Sequence, residues 1–190
     1  MPHYPPSASL RDARAQYFAI AGFKNGGYDD RWVRLKAGPF RFGFPNTAAR
    51  VRVVRLHDLH HVLTEYDTSW TGEAQIGAWE IASGCGRYLT GWIINLGALA
   101  IGLVITPRKT YRAFIHGRHC ANLYPSVFRE DLLERHVGEM REELSIRSEA
   151  PSANDADRIM FILWSIIAVA TYLAPFAIAL AALALLLARK

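Results

Sequence analysis

The feature that most constrains this chain is an uncharged run that extends from Ile159 to Ala188. Coiled as an α-helix, a run of this length measures about 45 Å, whereas the hydrocarbon core of a bilayer is about 30 Å thick. It is too short for two full crossings. The sequence therefore predicts one C-terminal transmembrane helix over residues 159–190, and it makes the membrane a partner of the chain.

Basic residues on the two sides of this run predict its orientation. Arg141, Arg147 and Arg158 precede the run, and Arg189 and Lys190 follow it. Because basic residues are retained on the cytoplasmic side of a membrane helix, the N-terminal side is favoured as the cytoplasmic one. We therefore expect a cytoplasmic body held by a single-pass C-terminal anchor.

The charge outside this run is basic, with a formal net charge of +5. It is concentrated in residues 1–56, where no recognisable nucleic-acid-binding module accompanies it, so no nucleic-acid partner is expected. Beside apolar segments, a basic excess suits the anionic headgroups of lipids. Cys85 and Cys120 lack a CxxC spacing and the N-terminal residues lack a signal-peptide pattern, which predicts reduced thiols in a cytoplasmic compartment.

The rest of the chain divides by composition into an arm, a domain and a linker. Residues 1–45 predict an irregular arm with one short helix, residues 46–147 a helical domain, and residues 148–158 a linker. Within the domain, the uncharged residues 88–107 are interpreted as an interfacial or core helix that lines a lipid cavity, although their length would also allow a bilayer crossing. The predicted fold is all-α: a helical domain with a metal-binding helix pair and a C-terminal transmembrane helix.

The metal site is predicted from residues 57–73, HDLHHVLTEYDTSWTGE. On a helix, His57 and His61 point within about 40° of each other, a spacing that grips divalent metals in HExxH enzymes. If the EYDTSW turn folds the next helix back, Glu73 can complete a His/His/carboxylate set. Asp58 and Glu80 are the candidate catalytic carboxylates: Asp58 could ligate the metal or orient a histidine, and Glu80 could support a ligand or act as a base. Ordinary surface histidines and acids are the alternative.

Several segments of the domain resemble one known family. Written as spacing, residues 57–73 give H-D-x-x-H-x11-E, which resembles the signature of the coenzyme Q (ubiquinone) biosynthesis protein Four family, called the Coq-four family below. HVLTEYDTSWTGE is similar to the family's H-V-L-T-G-Y-x-T-x-x-x-G-E. YRAFIHGRHCANL resembles its A-Y-x-x-G-R stretch, and HVGEMREELSI resembles its L-x-x-x-R-x-E-L-G-I. The resemblance covers residues 48–147.

The resemblance implies an all-helical fold that holds a divalent metal through His57, Asp58, His61 and Glu73. Zinc is the first expectation for that metal, and iron and manganese are the alternatives. This sequence departs from the family pattern at Glu65, which stands where the family has glycine, and in its C-terminal membrane helix, which is an addition.

The activity that the resemblance implies is a metal-dependent oxidative decarboxylation. It replaces the carboxyl group at C1 of a polyprenylated benzoquinone precursor by a hydroxyl group. Gly117 and Arg118, which match the family's G-R, are implied to bind the substrate, and residues 88–105 to take its prenyl tail. The implied partners are a polyprenyl quinone-like lipid and other quinone-biosynthesis proteins. A homo-oligomer is also possible.

Three other functions stay open at this point. A non-enzymatic scaffold could bind the same lipid and organise quinone-biosynthesis proteins around a structural metal. A di-iron membrane desaturase could use the HxxHH of His57, His60 and His61 together with the HxxH of His116 and His119, although such sites need about eight histidines and the chain has 7. A zinc hydrolase is the third alternative.

Overall fold

The described chain is mostly helical, as the sequence predicts. The computed structural model describes residues 3–37, 40–148 and 150–188. Seven α-helices, a short 3-10 helix and one hairpin follow in this order: α1 Leu10–Ala21, β1 Trp32–Ala37, β2 Phe40–Pro45, α2 Ala48–Thr64, α3 Trp70–Ser83, α4 Leu89–Ile105, α5 Pro107–Arg118, the 3-10 helix Glu130–Glu134, α6 Val137–Glu143 and α7 Asp155–Ala188.

The N-terminal arm is more ordered than its composition predicts. Its predicted helix is α1, which begins after Ser9, whose hydroxyl accepts a hydrogen bond from the backbone N–H of Asp12. Tyr4 and Leu10 are fully buried, and α1 packs against α2. The structure also has an antiparallel hairpin of β1 and β2 in this arm, whose composition predicts an irregular structure. Its residues do carry the alternation of apolar with other side chains by which a half-buried strand is recognised, in V-R-L-K-A and in F-R-F-G-F, and the prediction of an irregular arm does not use it.

Helices α2 and α3 begin and end at the residues that the sequence indicates. Thr47 caps the start of α2 through its hydroxyl, Ser69 caps α3 in the same way, and Gly84 ends α3. Leu56, Leu59 and Leu63, which share one face of α2 by their spacing, are buried in the core. The histidine side of α2 is buried as well.

The core of the domain is formed where α3 packs between α4 and α5. A glycine allows α5 to approach α3 closely, and another allows α3 to approach α4 closely. A Cβ atom at Gly117 of α5 would overlap the backbone carbonyl oxygen of Trp79 in α3, and a Cβ atom at Gly77 of α3 would overlap the side chain of Ala98 in α4. The indole of Trp79, fully buried at this crossing, contributes roughly 1.5–3 kcal/mol by leaving water.

Helix α4 has one buried face and one exposed apolar face. Leu96 and Leu99 face the core, whereas Leu89, Ile93 and Val104 are exposed. A second side of the helix packs against α7, and the rings of Trp92 and Trp164 stack with their centroids 5.1 Å apart. The described helix has 17 residues, the lower limit of the lengths that cross a bilayer.

Helix α7 is apolar enough to cross a membrane. Its stretch Asp155–Ala174 has a mean hydropathy of 1.6 and is mostly unburied, and among the described residues it is the one such helix. The helix begins inside the predicted linker, where Asp157 pairs with Arg118 at 3.3 Å and with His119 at 3.0 Å. Residues 189–190 of the predicted anchor lie outside the described chain. The orientation, with a cytoplasmic body, stays a prediction.

Among the described residues, two other than glycine have a left-handed backbone. Glu65 follows the end of α2 with a φ of 60°, and Ser145 follows α6 with a φ of 57°. A side chain in this region costs about 1–2 kcal/mol relative to a right-handed conformation. At Glu65 the conformation is supported by an ion pair of 2.8 Å with Arg141, whose guanidinium also donates hydrogen bonds to the carbonyls of Val62 and Leu63.

Replacing Ser145 by glycine should therefore stabilise the protein. We expect Ser145→Gly to raise the free energy of unfolding by about 1 kcal/mol, after allowance for the greater freedom of glycine in the unfolded chain. Denaturant unfolding of the detergent-solubilised chain measures this change. Ser145→Ala is the matched control, since alanine has the same left-handed penalty. Equal stability of the two variants would contradict the explanation.

Candidate metal centre

The structure brings three of the four predicted metal ligands together. Atoms of His57, His61 and Glu73 lie within 4.8 Å of one another. The Nε2 atoms of the two histidines are 3.1 Å apart, and each lies near one carboxylate oxygen of Glu73, at 3.7 Å for His57 and 3.6 Å for His61. The turn after α2 thus returns the first turn of α3 to the histidines, as the spacing predicts.

The turn needs a glycine at its end. A Cβ atom at Gly72 would overlap the carbonyl oxygen of Asp67, because the chain folds back tightly there. Asp67 also accepts hydrogen bonds from the hydroxyl and the backbone N–H of Ser69, the cap of α3. The close return places Glu73, the next residue, against α2.

Hydrogen bonds fix which nitrogen of each histidine carries a proton. The Nδ1 atom of His61 lies 2.8 Å from the carbonyl oxygen of Tyr66, which can only accept, so Nδ1 is the donor. The Nδ1 atom of His57 lies 2.9 Å from a carboxylate oxygen of Glu80 and donates in the same way. In the neutral rings, both Nε2 atoms therefore present lone pairs to each other.

Two lone pairs 3.1 Å apart repel unless a cation lies between them or beside them. A proton shared between the two nitrogens can remove this repulsion. Burial lowers the pKa of His61, whereas the pKa of His57 is raised because Glu80 and Glu73 outweigh its burial. His57 is therefore the histidine that carries such a proton. A metal ion serves equally. Ligands of tetrahedral zinc, at about 2.0–2.1 Å from the ion, lie roughly 3.3 Å from each other. The observed distances between the donor atoms, 3.1, 3.6 and 3.7 Å, are close to this ligand–ligand distance.

The donor set is open on one side. The His61 side chain is fully buried and that of His57 is 15% exposed, whereas that of Glu73 is 41% exposed. A bound ion would therefore be reached from the Glu73 side. Two histidines and a carboxylate with a free coordination position form the ligand set of catalytic rather than structural zinc sites.

Asp58, the fourth predicted ligand, lies outside this group of donors. Its carboxylate accepts a hydrogen bond of 2.5 Å from the hydroxyl of Tyr28, in the loop before β1. Burial raises the pKa of Asp58 to about 6, although His57 and the bond from Tyr28 act in the opposite direction. Asp58 thus follows the predicted ligand His57 in the chain, but its carboxylate is bonded to Tyr28 and is not part of the group of donors.

Glu80 is the fully buried carboxylate that supports the centre. One oxygen accepts from the Nδ1 atoms of His57 and of His60, at 2.9 and 2.6 Å, and the other accepts from Tyr124 at 2.6 Å and from the amide of Asn95. Burial alone would raise the pKa of Glu80, but the two histidines hold it well below its usual range. A carboxylate so engaged orients a ligand and is a poor base.

Sequence analysis does not anticipate four of the groups around the centre. The ring of Tyr17 stacks on His61 with centroids 5.3 Å apart, and Tyr28, Asn95 and Tyr124 make the bonds given above. Tyr17 and Tyr28 come from the arm, and Tyr124 from an irregular segment after α5. Asn95 has a sequence signal, since it is a polar group within the uncharged α4, whereas Tyr28 lies among glycines and charged residues and has none.

The two residues implied to bind substrate have structural contacts here. Gly117 lies at the crossing of α5 with α3, and Arg118 pairs with Asp157 of α7. Their role in substrate binding stays a prediction.

The second histidine pair does not join the centre. His116 lies 3.3 Å from the hydroxyl of Tyr66, and His119 pairs with Asp157 at 3.0 Å. Among the described residues, His57, His61 and Glu73 are the one group of three or more metal-type donors. This arrangement does not favour the di-iron alternative.

Metal content tests the centre directly. We expect the purified chain to hold about one zinc ion, and His61→Ala and Glu73→Gln to lose it, because each removes one of three donors. Elemental analysis by mass spectrometry measures the stoichiometry. His3→Ala, at an exposed histidine, is the control and should keep the ion. Retention of the ion by both site variants would contradict the assignment.

The support given by Glu80 can be separated from its contribution to stability. Glu80→Gln leaves the Nδ1 proton of His57 with a weaker acceptor, so metal affinity should fall about 10- to 100-fold. Tyr124→Phe is the matched control. It removes one donor from the far oxygen of the same carboxylate, and it should lower stability by about 1 kcal/mol with little change in metal affinity. Competition with a chelating dye measures both affinities, and equal losses would contradict the separation.

The geometry described above is accompanied by no similarity to characterised proteins. No protein-family model matches the chain, no curated protein matches it, and no solved structure matches it.

Proposed function

We propose that the chain is a membrane-anchored, metal-dependent ubiquinone-biosynthesis protein related to the Coq-four family. Its substrate would be a polyprenylated hydroxybenzoate, and its reaction the replacement of the C1 carboxyl group by a hydroxyl group. The observation that carries the proposal is the convergence of His57, His61 and Glu73, the residues that match H-x-x-x-H-x11-E, on one point of space.

Backbone conformation lends independent support to the resemblance. Glu65 and Ser145 stand at two positions where the family pattern has glycine, and both have positive φ angles. Gly72, which keeps the glycine of the pattern's G-E, lies where a Cβ atom would overlap Asp67. The pattern thus has glycine where this fold requires a left-handed residue or the absence of a side chain. This agreement between pattern and backbone supports the proposed relation.

An apolar groove supports a lipid tail as part of the ligand. A groove of about 470 Å³ lies between the C-terminal half of α4 and α7, and its lining is almost entirely apolar: Gly97, Ala100, Ile101, Val104, Ile105 and Tyr172. A prenyl chain bound on such a surface gains about 25 cal/mol for each Å² of apolar area that is removed from water. The groove lies on the same side of α4 as the membrane helix.

The proposed reaction assigns limited roles to the protein's own groups. When bound, a divalent ion supplies positive charge that stabilises a carboxylate or phenolate. His57 and His61 hold their Nε2 atoms toward that position, and Glu80 and the Tyr66 carbonyl keep both rings in the required tautomer. Glu80 is thus a positioning residue. Loss of the carboxyl as carbon dioxide with gain of a hydroxyl from water releases two electrons, so a two-electron acceptor such as molecular oxygen must take part, because zinc is not redox-active.

Carboxyl-labelled substrate tests the proposal. The chain in lipid vesicles, given a prenylated 4-hydroxybenzoate with a labelled C1 carboxyl and oxygen, should release labelled carbon dioxide. Glu73→Gln should abolish the release, because it removes a metal donor, while His3→Ala should leave it unchanged. Trapped radioactivity gives the rate, and mass spectrometry gives the ring product.

Cellular complementation separates this enzyme from the non-enzymatic scaffold. If Glu73→Gln and His61→Ala without metal still support quinone synthesis in cells, the enzymatic proposal fails, and a role in presenting prenyl lipids to other quinone-biosynthesis proteins takes its place. Loss of synthesis in both variants, with the lipid still bound, supports catalysis at the centre.

A further inference from the structure

A second groove, apart from the metal centre, is lined by arginines. It has a volume of about 1210 Å³ and lies between the loop before β1, the first half of α2 and the start of α4. None of the three metal donors lines it. The members that define its character are the four arginines Arg31, Arg52, Arg55 and Arg87, together with the apolar Leu89 and Val127. Two carboxylates, Asp29 and Asp30, also line it, so positive charge is in excess.

Arg55 is fixed in the wall of this arginine groove. Its guanidinium lies over the ring of Tyr28 at 5.2 Å and over the ring of Phe128 at 5.3 Å. Its Nε atom is buried and has no hydrogen-bond partner in the described part of the chain. Ion pairs of the described residues include neither Arg55 nor Arg52 nor Arg87. The Nε atom is sealed against these rings and out of reach of a ligand. The terminal amino groups of Arg55 make no hydrogen bond or ion pair within the described residues, so they are the donors left for an anion in the groove.

The loop before β1, which carries Tyr28 and lines the groove, is held in place before any ligand arrives. The amide of Asn46 donates hydrogen bonds to the carbonyls of Gly27 at 3.0 Å and of Asp30 at 2.9 Å, and Arg50 in turn donates to Asn46. Tyr28, in the same loop, is fixed by its bond to Asp58. The groove is therefore preformed and would lose little entropy on binding.

The groove opens beside the membrane-facing part of the molecule. Leu89 at its edge is 71% exposed and begins the apolar helix α4. One turn further along α4, Trp92 stacks against Trp164, which lies near the start of the uncharged run of α7. Aromatic residues of this kind concentrate at the level of lipid headgroups. Positive charge and an apolar edge thus meet at the expected height of the bilayer surface.

We propose that the arginine groove binds the phosphate of an anionic phospholipid, with the acyl chains passing over Leu89 onto the exposed face of α4. Arg55 donates to the phosphate from the wall, and Arg52 and Arg87 add charge from the rim. Charge selects the headgroup, and the adjoining apolar surface distinguishes a lipid from a soluble phosphate. This inference concerns a site separate from the metal centre and does not depend on the proposed function.

Lipid retention by the full chain tests the proposal. The chain in non-ionic detergent is titrated with phosphatidylglycerol or phosphatidylcholine, and native mass spectrometry counts the retained lipids. We expect about one tightly held phosphatidylglycerol per chain and at least tenfold weaker retention of phosphatidylcholine. Arg55→Met, which keeps length but not charge, should weaken the retention of phosphatidylglycerol about tenfold, and Arg52→Gln should weaken it less.

Controls keep the test independent of folding and of the metal centre. Arg34→Gln, on β1 outside the groove, should bind lipid as the natural sequence does, and all variants should keep the circular dichroism spectrum and the melting temperature of the natural sequence. Arg52→Gln removes a side chain exposed at the rim, so a loss of lipid there with the melting temperature unchanged cannot come from unfolding. Equal retention of both lipids, or unchanged retention in the Arg55 and Arg52 variants, would overturn the proposal. Full displacement of the lipid by millimolar inorganic phosphate would assign the groove to a soluble phosphate instead and would overturn the lipid assignment.

Discussion

The buried carboxylate of Glu80 is the interaction on which the rest of this structure depends. It lies on α3 and accepts hydrogen bonds from two histidines of α2, from Asn95 of α4 and from Tyr124 beyond α5. An isolated carboxylate in the core would be prohibitively costly, and only a full set of donors makes it tolerable. Four parts of the chain are therefore placed by one charge, and the orientation of His57 at the metal centre follows from the same set of bonds.

The second histidine at Glu80 explains why the network is rigid. The Nε2 atom of His60 accepts the backbone N–H of Leu123, so its Nδ1 atom must donate to Glu80. His60 thus joins the loop after α5 to the carboxylate without taking part in the metal set. Removal of one member of such a network leaves the others with unmatched donors in a medium of low polarity, and the expected cost is larger than that of a single bond.

Much of the centre could be predicted from local spacing. The four-residue separation of His57 and His61 places them on one side of any helix, and the short polar turn before Glu73 limits where α3 can go. The role of the adjoining His60, which bonds to Glu80 and to the backbone of Leu123, could not be predicted from spacing. The second half of α2 is buried on nearly all sides, so its histidines resemble surface residues until the packing partners are known.

Other features depend on contacts between distant segments and have no local signature. Tyr17 reaches His61, and Tyr28 reaches Asp58, from an arm whose composition predicts an irregular structure. The hairpin within that arm is an exception, because V-R-L-K-A and F-R-F-G-F alternate apolar with other residues and so carry a local signature of strands. At Glu65, by contrast, the sequence departs from the glycine that a left-handed position favours, and Arg141 supplies a compensating ion pair from a helix nearly eighty positions away.

The packing of α7 on α4 has a mechanical consequence. The stacked rings of Trp92 and Trp164, and the pairing of Asp157 with α5, join α7 to the body of the chain. A body attached by a flexible linker alone would adopt many heights and tilts relative to a bilayer. If α7 crosses a bilayer as proposed, a body joined in this way moves together with that helix, so the depth of His57, His61 and Glu73 relative to the bilayer is set by the fold and is not left to diffusion.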